Sequence, residues 1–548
     1  MPPNTAVTQD DLTQRQTGVS TPGADSQWAV FLPAVSSFYA NYIGRQRAGA
    51  YVPAARMPAQ IPDMEQLNWL DPHKALFPYR WSLYSAGHAN LDLTKHAPKE
   101  LMLRQRDPGS LLVADSGGFQ IAKGVWPGRW ADPRCASAEK KRRAVLEWQC
   151  GIADLGMTMD IPTWTCTNPE WAEASGIYSY QDAVTATQYN NEYWISNRHG
   201  ATRMLNVLQG ANHAEADHWY ELMKRYSDPQ HYPDRHFNGW GMGGQNMCDV
   251  HLILRRLITL IHDGLLEPGV HDWMHFLGTS RLEWAVLLTA IQRSVRQHAN
   301  PRFTISFDCA SPFLATANGQ LYHSIVTENR GKWSYLMSAT ADHKRYATDT
   351  RAFGDAVRQD KIHPQFQDSP VSARLQIRDV CIYRDGVRKT DQELGSVKFD
   401  LTNPDHYHVL PDVNKIGRIG HTSWDSFSYA LMMAHNVWMH ITAVQRANQE
   451  FDQGRSPDML SHGLDRYYDA AQVIDRVFAA RDRQKSLRII DDHAKIWERI
   501  VGTRGYTGTR AVSSRPMFNT HYDFGHAPAG DPELDPELLE RLEDSVDE

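Results

Sequence analysis

Residues 111–118, LLVADSGG, decide the fold: an apolar run ends in an acid, and a serine and two glycines follow it. A short apolar run that closes on turn-forming residues is typical of a buried β-strand. Seven other stretches have a similar form, and we interpret all eight as strands. The other seven are residues 29–34 (AVFLPA), 80–87 (RWSLYSAG), 155–160 (LGMTMD), 203–210 (RMLNVLQG), 239–244 (GWGMGG), 274–280 (MHFLGTS) and 303–309 (FTISFDC).

Amphipathic segments separate several of these strands, and their apolar residues recur at spacings of three and four, which predicts helices. These segments are residues 139–155, 214–227, 249–264 and 281–298. Alternating strands and helices predict a parallel sheet. Eight strands fit either a doubly wound sheet or a closed barrel, but no GxGxxG motif opens a helix here. We therefore predict an α/β fold of the (β/α)8 TIM barrel type.

The chain has 548 residues, whereas such a barrel needs only about 250, so further regions are expected. Short strands are predicted at residues 380–386 and 396–401, and helices at about 426–451 and 467–501. The predicted regions are a disordered arm at 1–27, the catalytic barrel at 28–309, an inserted α+β region at 310–424, a closing helix with a C-terminal helical region at 425–525, and an acidic tail at 526–548.

Composition narrows the class of protein. No run reaches the roughly 20 apolar residues of a membrane span, and the N-terminus lacks the features of a signal peptide, so we expect a cytoplasmic protein. The six cysteines have no paired spacing, which predicts reduced thiols. The net charge is −7, and the tail alone holds nine acids and one arginine. The total charge therefore neither supports nor excludes a phosphate-bearing partner.

Strand ends supply the candidate site residues, because a barrel of this type carries its site at the C-terminal ends of the strands. They are Asp115, Asp160, Gln209, Gly243, Gly244, Gly278 and Asp308. Asp308 could be a nucleophile or a carboxylate held by backbone N–H groups, and Asp115 could serve catalysis or cap the next helix. Three carboxylates at one barrel mouth suit work on a glycosidic bond, and a divalent metal site is the alternative.

The motifs resemble those of the tRNA-guanine transglycosylases, barrel enzymes that exchange a guanine for a 7-deazaguanine. The similarity covers about residues 80–323, and DSGGFQ combined with FDC is its specific part. The matching segments, in order, are DSGGFQ at 115–120, MDIPTWT at 159–165, VLQG at 207–210, GMGG at 241–244, FLGTS at 276–280 and FDCASP at 307–312.

The resemblance implies a pentosyltransferase with a role for each matched residue. Asp308 would attack C1′ of the nucleotide to form a covalent glycosyl-enzyme intermediate, and Asp115 would act as general acid and base. Phe119 would stack on the base, beside Ser116 and Gly117. Asp160, Gln209 and the backbone of Gly243 and Gly244 would hydrogen-bond the edge of the base. The base must leave its stack to reach the pocket, which implies a nucleic-acid groove.

Two departures from the family bear on the substrate. The segment after the nucleophile, SPFLATANGQLYH at 311–323, lacks the arginines with which the family holds RNA. After Cys309 only Cys381 remains, so the family's CxCxxC zinc motif is absent, and we expect no metal and no cofactor. The other histidines of this part are interpreted as polar or core residues. They are His323, His406, His408, His421, His435 and His440.

These departures favour DNA as the polymer that receives the 7-deazaguanine base, with tRNA as the alternative. A noncatalytic barrel subunit is a further alternative, and the resemblance leaves room for a homodimer or for accessory modification proteins. No membrane partner is expected. The basic run Lys140, Lys141, Arg142 and Arg143 would either follow a phosphate backbone or form a solvated helix face.

Overall fold

In a computed structural model of the chain, eight strands lie where the sequence predicts them. The structure describes residues 27–48, 52, 54–92, 100–317, 319–328, 333–382, 423–461 and 469–500. The predicted arm up to residue 26, the strand at 396–401 and the acidic tail therefore lie outside the described residues. The strands are β1 Val30–Pro33, β2 Trp81–Ser85, β3 Leu111–Asp115, β4 Leu155–Met157, β5 Arg203–Leu208, β6 Gly239–Met242, β7 Trp273–Phe276 and β8 Thr304–Cys309.

The eight strands form one sheet in the order β1-β8-β7-β6-β5-β4-β3-β2, and every pairing in it is parallel. A parallel bridge between Ala34 and Leu83 joins the two edges of this sheet, and the Val35 N–H donates to the Leu83 carbonyl at 2.9 Å. The sheet is thus closed into a barrel, and the predicted (β/α)8 fold is confirmed.

Helices surround the barrel. Those from the N-terminus to the last strand are α1 Ser37–Ala48, α2 Leu101–Arg104, α3 Gly118–Ala122, α4 Ala136–Ile152, α5 Pro169–Ser175, α6 Tyr180–Asn197, α7 His213–Met223, α8 Val250–His262 and α9 Leu282–His298. After the last strand come α10 Ser311–Ala317, α11 Phe353–Gln359, α12 Ile377–Val380, α13 Ser426–Asp452, α14 Ala470–Ala479, α15 Arg483–Asp492 and α16 Ala494–Trp497. None of the described helices is long and apolar enough to cross a membrane.

The long helix α13 occupies the place of the barrel's last helix, as the sequence predicts. It packs against α9, α10, α1 and β1. Its buried side chains from Tyr429 to Val444 are mostly apolar, and His435, Asn436 and His440 are the buried polar ones among them. The single helical stretch expected near 467–501 is three helices, α14 to α16, in the described part.

The region between β8 and α13 mixes helices with an antiparallel pair, β9 Gln320–Val326 and β10 Ser334–Ala339. The strand predicted at 380–386 is wrong where it is described, because Val380 ends helix α12. Asp379 holds that helix start in place: its carboxylate accepts from the Gln376 N–H at 2.7 Å. A capping box therefore overrides the β-propensity of the VCIY letters.

Candidate active site

Asp308 is the second-last residue of β8, with its side chain 13% exposed, at the mouth of the barrel. Its Oδ1 accepts a hydrogen bond from the Gly278 N–H at 2.9 Å and lies 3.2 Å from His275 Nε2. N–H groups stabilise the negative charge of a carboxylate. Gly278, one of the predicted strand-end residues, thus reaches the site through its backbone.

Asp115 ends β3 on the other side of the same mouth. Its Oδ2 accepts from the Ser85 hydroxyl at 2.7 Å, and its Oδ1 accepts from the Ser116 N–H at 2.8 Å. Burial raises the pKa of Asp115, the negative charge of Asp308 raises it further, and the two hydrogen bonds oppose this rise. A carboxyl group of this kind can exchange a proton closer to neutral pH than an exposed aspartate can.

Both carboxylates line one cavity of about 190 Å³. Leu83, Phe313 and Leu314 contribute apolar surface to the same cavity, so a ligand there would meet apolar wall and two acids together. His88 also lines it, and burial lowers the pKa of His88 to about 4, which keeps its imidazole neutral at physiological pH. The sequence-predicted catalytic pair is thus brought together.

Asp160 and Gln209 form a second polar group beside the first. The Gln209 side-chain amide donates to Asp160 Oδ2 at 2.7 Å, and both side chains are buried. Burial raises the pKa of Asp160 to about 7, the hydrogen bond from Gln209 opposes this, and the charge of Asp115 adds to it. The α3 helix starts close to this pair: a Cβ on Gly118 would lie 2.5 Å from the Asp160 carbonyl oxygen.

Gly243 and Gly244 complete this group at the end of β6. A Cβ on Gly243 would lie 2.5 Å from the Gln209 side-chain nitrogen, and Gly244 has a φ of +56°, which favours glycine. The Gly243 N–H donates to the Leu208 carbonyl at 2.9 Å. Hydrogen bonding from Gly243 to a base is therefore limited to its carbonyl, a restriction that the sequence does not reveal.

The SGGF segment forms the rim between the two groups. Gly117 has a φ of +79° and is the N-cap residue of α3, and a Cβ there would lie 2.5 Å from the Trp126 ring. Phe119 is 39% exposed, with its ring edge-on to Trp164 at 5.8 Å. Its exposed face suits the predicted stacking on a planar ligand.

Two buried polar atoms in these groups have no hydrogen-bond partner in the described part of the chain, the hydroxyl oxygen of Ser116 and the side-chain carbonyl oxygen of Gln209. A buried polar atom without a partner costs about 1–3 kcal/mol, and a ligand or a water molecule can supply the missing hydrogen bond. Both belong to residues that the sequence assigns to substrate binding.

Sequence reasoning missed Ser85, His88 and His275. Ser85 ends β2, so the strand-end rule that selected Asp115 should have selected it as well. His275 shares the inward face of its strand with Trp273, two residues earlier, and the period of two was a usable signal. His88 lies in the loop after β2, where nothing in the sequence marks it.

The basic run behaves differently from either predicted reading. Arg142 is fully buried: its Nε donates to Asn190 at 2.7 Å, and it pairs with Glu139 at 2.8 Å. Lys141 lies 4.5 Å from the centre of the Trp126 ring. Only Lys140 and Arg143 are exposed, so a continuous solvated or phosphate-facing run of four cations is wrong.

The family's zinc does not fit the residues present. No group of three or more His, Cys, Asp or Glu side chains within the described residues could hold a metal ion. Cys309 lies 3.6 Å from His440 in the core. His435 is hydrogen-bonded to the Ser369 hydroxyl at 2.9 Å and to the Tyr322 carbonyl at 2.8 Å. His406, His408 and His421 lie outside the described residues.

No family model matches the chain, and no curated protein matches it. The residues at the barrel mouth have a defined geometry. That geometry offers a carboxylate held by N–H donors, a buried carboxyl with a raised pKa facing the same cavity, and a neighbouring polar group with unsatisfied hydrogen-bonding capacity. Such a set can attack an electrophilic carbon, move a proton and hold a planar polar ligand.

Proposed function

We propose that this protein is a guanine transglycosylase that replaces guanine in DNA with a 7-deazaguanine base through a covalent intermediate on Asp308. One observation carries the proposal: Asp308 and Asp115 face a single cavity at the barrel mouth, with the Asp160–Gln209 pair next to Asp115. This arrangement supplies a nucleophile, a proton carrier and a site for the base in adjacent positions.

In the first displacement, an Asp308 oxygen attacks C1′ of the nucleotide, and the bond from C1′ to N9 of guanine breaks with its electron pair going to the base. Asp115 delivers a proton to the departing purine, which its raised pKa favours. In the second displacement, N9 of the incoming base attacks C1′ and returns the electron pair to Asp308. Asp115 takes up the proton that the incoming base loses. Two displacements retain the configuration at C1′.

Asp160 and Gln209 hold the base in this proposal. Guanine and 7-deazaguanines share the N1–H and the exocyclic amino group, which are donors that an ionised carboxylate accepts. The unpartnered carbonyl oxygen of Gln209 adds an acceptor. Phe119 presents an exposed ring beside this group, and aromatic stacking on a nucleobase is worth about 1–3 kcal/mol per base.

Local charge supports a polyanionic partner even though the whole chain is acidic. Residues 120–143, which follow the SGGF rim directly, hold seven Lys or Arg and two acids. The two acids are paired within the segment, Asp132 with Arg134 and Glu139 with Arg142. Exposed Arg129, Lys140 and Arg143 remain to attract phosphates.

Base exchange measured on two polymers tests the proposal. DNA and tRNA, each carrying labelled guanine, are incubated with the protein and a 7-deazaguanine such as preQ0, and released guanine is counted. A denaturing gel then detects a covalent protein–nucleic acid adduct. We expect release and an adduct with DNA, both lost in Asp308→Ala.

Each other result points to a different alternative. Release from tRNA but not from DNA would favour the tRNA-directed enzyme. Binding to nucleic acid without release or adduct on either polymer would favour a noncatalytic barrel subunit. Activity that chelation removes and a divalent ion restores would favour a metal-dependent hydrolase.

A further inference from the structure

A chain of hydrogen bonds runs through the barrel interior and ends at Asp308. Trp273 and His275 lie on β7, and Ser306 and Asp308 lie on β8, where His275 is the register partner of Ser306. The Trp273 indole N–H donates to the Ser306 hydroxyl oxygen at 2.8 Å. That hydroxyl lies 2.9 Å from His275 Nδ1, and His275 Nε2 lies 3.2 Å from Asp308 Oδ1.

The donor inventory of these groups fixes the direction of the chain. A carboxylate oxygen only accepts, so a favourable contact requires a proton on His275 Nε2. In the neutral imidazole, Nδ1 is then an acceptor. The Ser306 hydroxyl can supply that proton while its oxygen accepts from Trp273, whose indole is a donor only. With a neutral imidazole, every group in the chain is satisfied in this arrangement.

We infer that His275 is a positioning residue for the nucleophile: it donates to Asp308 Oδ1 and leaves Oδ2 as the oxygen that attacks C1′. The inference rests on the proposed function for its chemical consequence. The Gly278 N–H also donates to Oδ1, at 2.9 Å. Two fixed donors on one oxygen set the rotation of the carboxylate and make its two oxygens inequivalent.

The same donors act on the covalent intermediate. After Oδ2 bonds to C1′, Oδ1 becomes the carbonyl oxygen of the resulting ester and still faces His275 and Gly278. In the second displacement the C1′–Oδ2 bond breaks and its electron pair returns to the carboxylate. N–H groups that stabilise the returning negative charge make Asp308 a better leaving group.

The setting of His275 differs from that of two other buried histidines, His271 and His435. His271, just before β7, lies 2.7 Å from the Ser227 backbone carbonyl, and His435 contacts the Tyr322 carbonyl and a hydroxyl. These histidines satisfy core groups. His275 is fully buried yet reaches a side-chain carboxylate that lines the cavity, in a barrel interior that branched apolar residues usually fill.

Three variants test the inference kinetically. His275→Leu removes the donor, and His275→Gln keeps an N–H at a similar reach. His271→Leu removes a buried histidine from the segment just before the same strand. We expect turnover in His275→Leu to fall about 100-fold, the usual loss for one preorganised donor, and His275→Gln to recover most of it. His271→Leu lowers thermal stability but keeps the turnover of the folded enzyme.

The covalent adduct gives a readout that mere destabilisation would not change. Because the donors help the second displacement most, a larger fraction of folded His275→Leu should be present as adduct at steady state than in the wild type. Wild-type turnover and adduct fraction in His275→Leu would overturn the inference. So would a loss in His275→Gln as large as that in His275→Leu.

Histidine ¹⁵N NMR makes the test independent of the substrate. The His275 signal is assigned by its loss in His275→Gln, and we expect the Nε2–H tautomer, perturbed in Asp308→Ala. An Nδ1–H tautomer would overturn the inference whatever the protein acts on. A wild-type protein that exchanges bases in neither polymer but shows the Nε2–H tautomer would instead overturn the proposed function alone.

Discussion

The two sides of the barrel mouth hold their carboxylates by opposite means. On the β8 side, Asp308 Oδ1 meets the Gly278 N–H and the His275 ring nitrogen, and its side chain keeps some exposure. On the β3–β4 side, burial is the largest influence, and it raises the pKa of both Asp115 and Asp160. Hydrogen-bond donors therefore dominate the surroundings of Asp308, whereas burial dominates those of Asp115 and Asp160.

This difference teaches how one pocket can hold three acids with three roles. A nucleophile must be ionised, and N–H donors favour that state. A proton carrier works best when its pKa lies near the working pH, and burial moves an aspartate in that direction. The negative charge of Asp308 also raises the pKa of Asp115.

Replacing the nucleophile has the largest expected effect. Asp308→Asn keeps a carbonyl oxygen for the Gly278 and His275 donors but cannot form a glycosyl ester. Base exchange should fall by at least about 10⁴-fold, measured as labelled guanine release, with no covalent adduct. The thermal midpoint should stay near that of the wild type. Exchange within tenfold of the wild type would remove Asp308 from the mechanism.

The fold was predictable because its signals are local and repeated. All eight strand segments follow one pattern of an apolar run closed by a turn residue, and amphipathic helices separate several of them. The region after β8 lacks that repetition. There the expected strand at 380–386 fails at Val380, because Asp379 caps a short helix by a contact with Gln376. A single side-chain contact of this kind outweighs the propensity of a few letters.

The site was predictable at strand ends and less so elsewhere. Asp115, Asp160, Gln209 and Asp308 all follow from the rule that the C-terminal ends of barrel strands carry the site. His275 did not, because its role depends on which residue of β8 lies beside it. The burial of Arg142 was also missed, because its pairing with Asn190 on α6 joins residues 48 positions apart.

Removing the proton carrier should have the second-largest effect. Asp115→Asn keeps an acceptor for the Ser85 hydroxyl but cannot exchange a proton, so kcat should fall by about 10²–10⁴-fold. Without the incoming base only the first displacement can occur, and because guanine departure then depends on water, the adduct should form more slowly than in the wild type. Rapid-quench measurement of the adduct separates this loss from that in His275→Leu, where the adduct fraction should rise. Ser85→Ala serves as the milder comparison, since it removes one hydrogen bond from the same carboxyl.

Titration of Asp160 should govern the affinity for the incoming base. Burial raises its pKa to about 7, so in the empty site it is protonated below that pH and has one acceptor oxygen fewer for the two donors of the base. We expect the KM for the base to rise about tenfold per pH unit below pH 7, and to be high and nearly pH-independent in Asp160→Asn. A wild-type KM that is flat between pH 5.5 and about 8 would contradict this role.

The same shift predicts a change in stability. The unfolded aspartate ionises near 3.8, whereas the folded one stays protonated up to about 7. Protonation therefore favours the folded state, and this contribution is lost as pH rises towards 7. Relative to Asp160→Asn, the wild type should lose free energy of unfolding over that interval, by as much as about 4 kcal/mol. Urea unfolding at pH 5 and pH 8 should detect about 2–3 kcal/mol of this loss, because part of it has already occurred at pH 5.

The smallest effect is expected outside the pocket, at exposed cations on the surface. Lys140 and Arg143 lie one turn apart on α4, and reversing both charges should raise the KM for DNA by roughly 3- to 10-fold and leave kcat unchanged. The dependence of log KM on log salt should become shallower by about two, because two phosphate contacts are lost. Lys485 and Arg488 have the same spacing on α15, far along the chain, and form the matched control.

If reversing the α15 pair weakens DNA binding as much as reversing the α4 pair does, the attraction is a property of overall charge. If only reversal of the α4 pair weakens DNA binding, the DNA strand that flanks the target nucleotide crosses the mouth over the SGGF rim. The target nucleotide then approaches Asp308 from the side of Asp115 and Asp160, and not from the far side of Asp308.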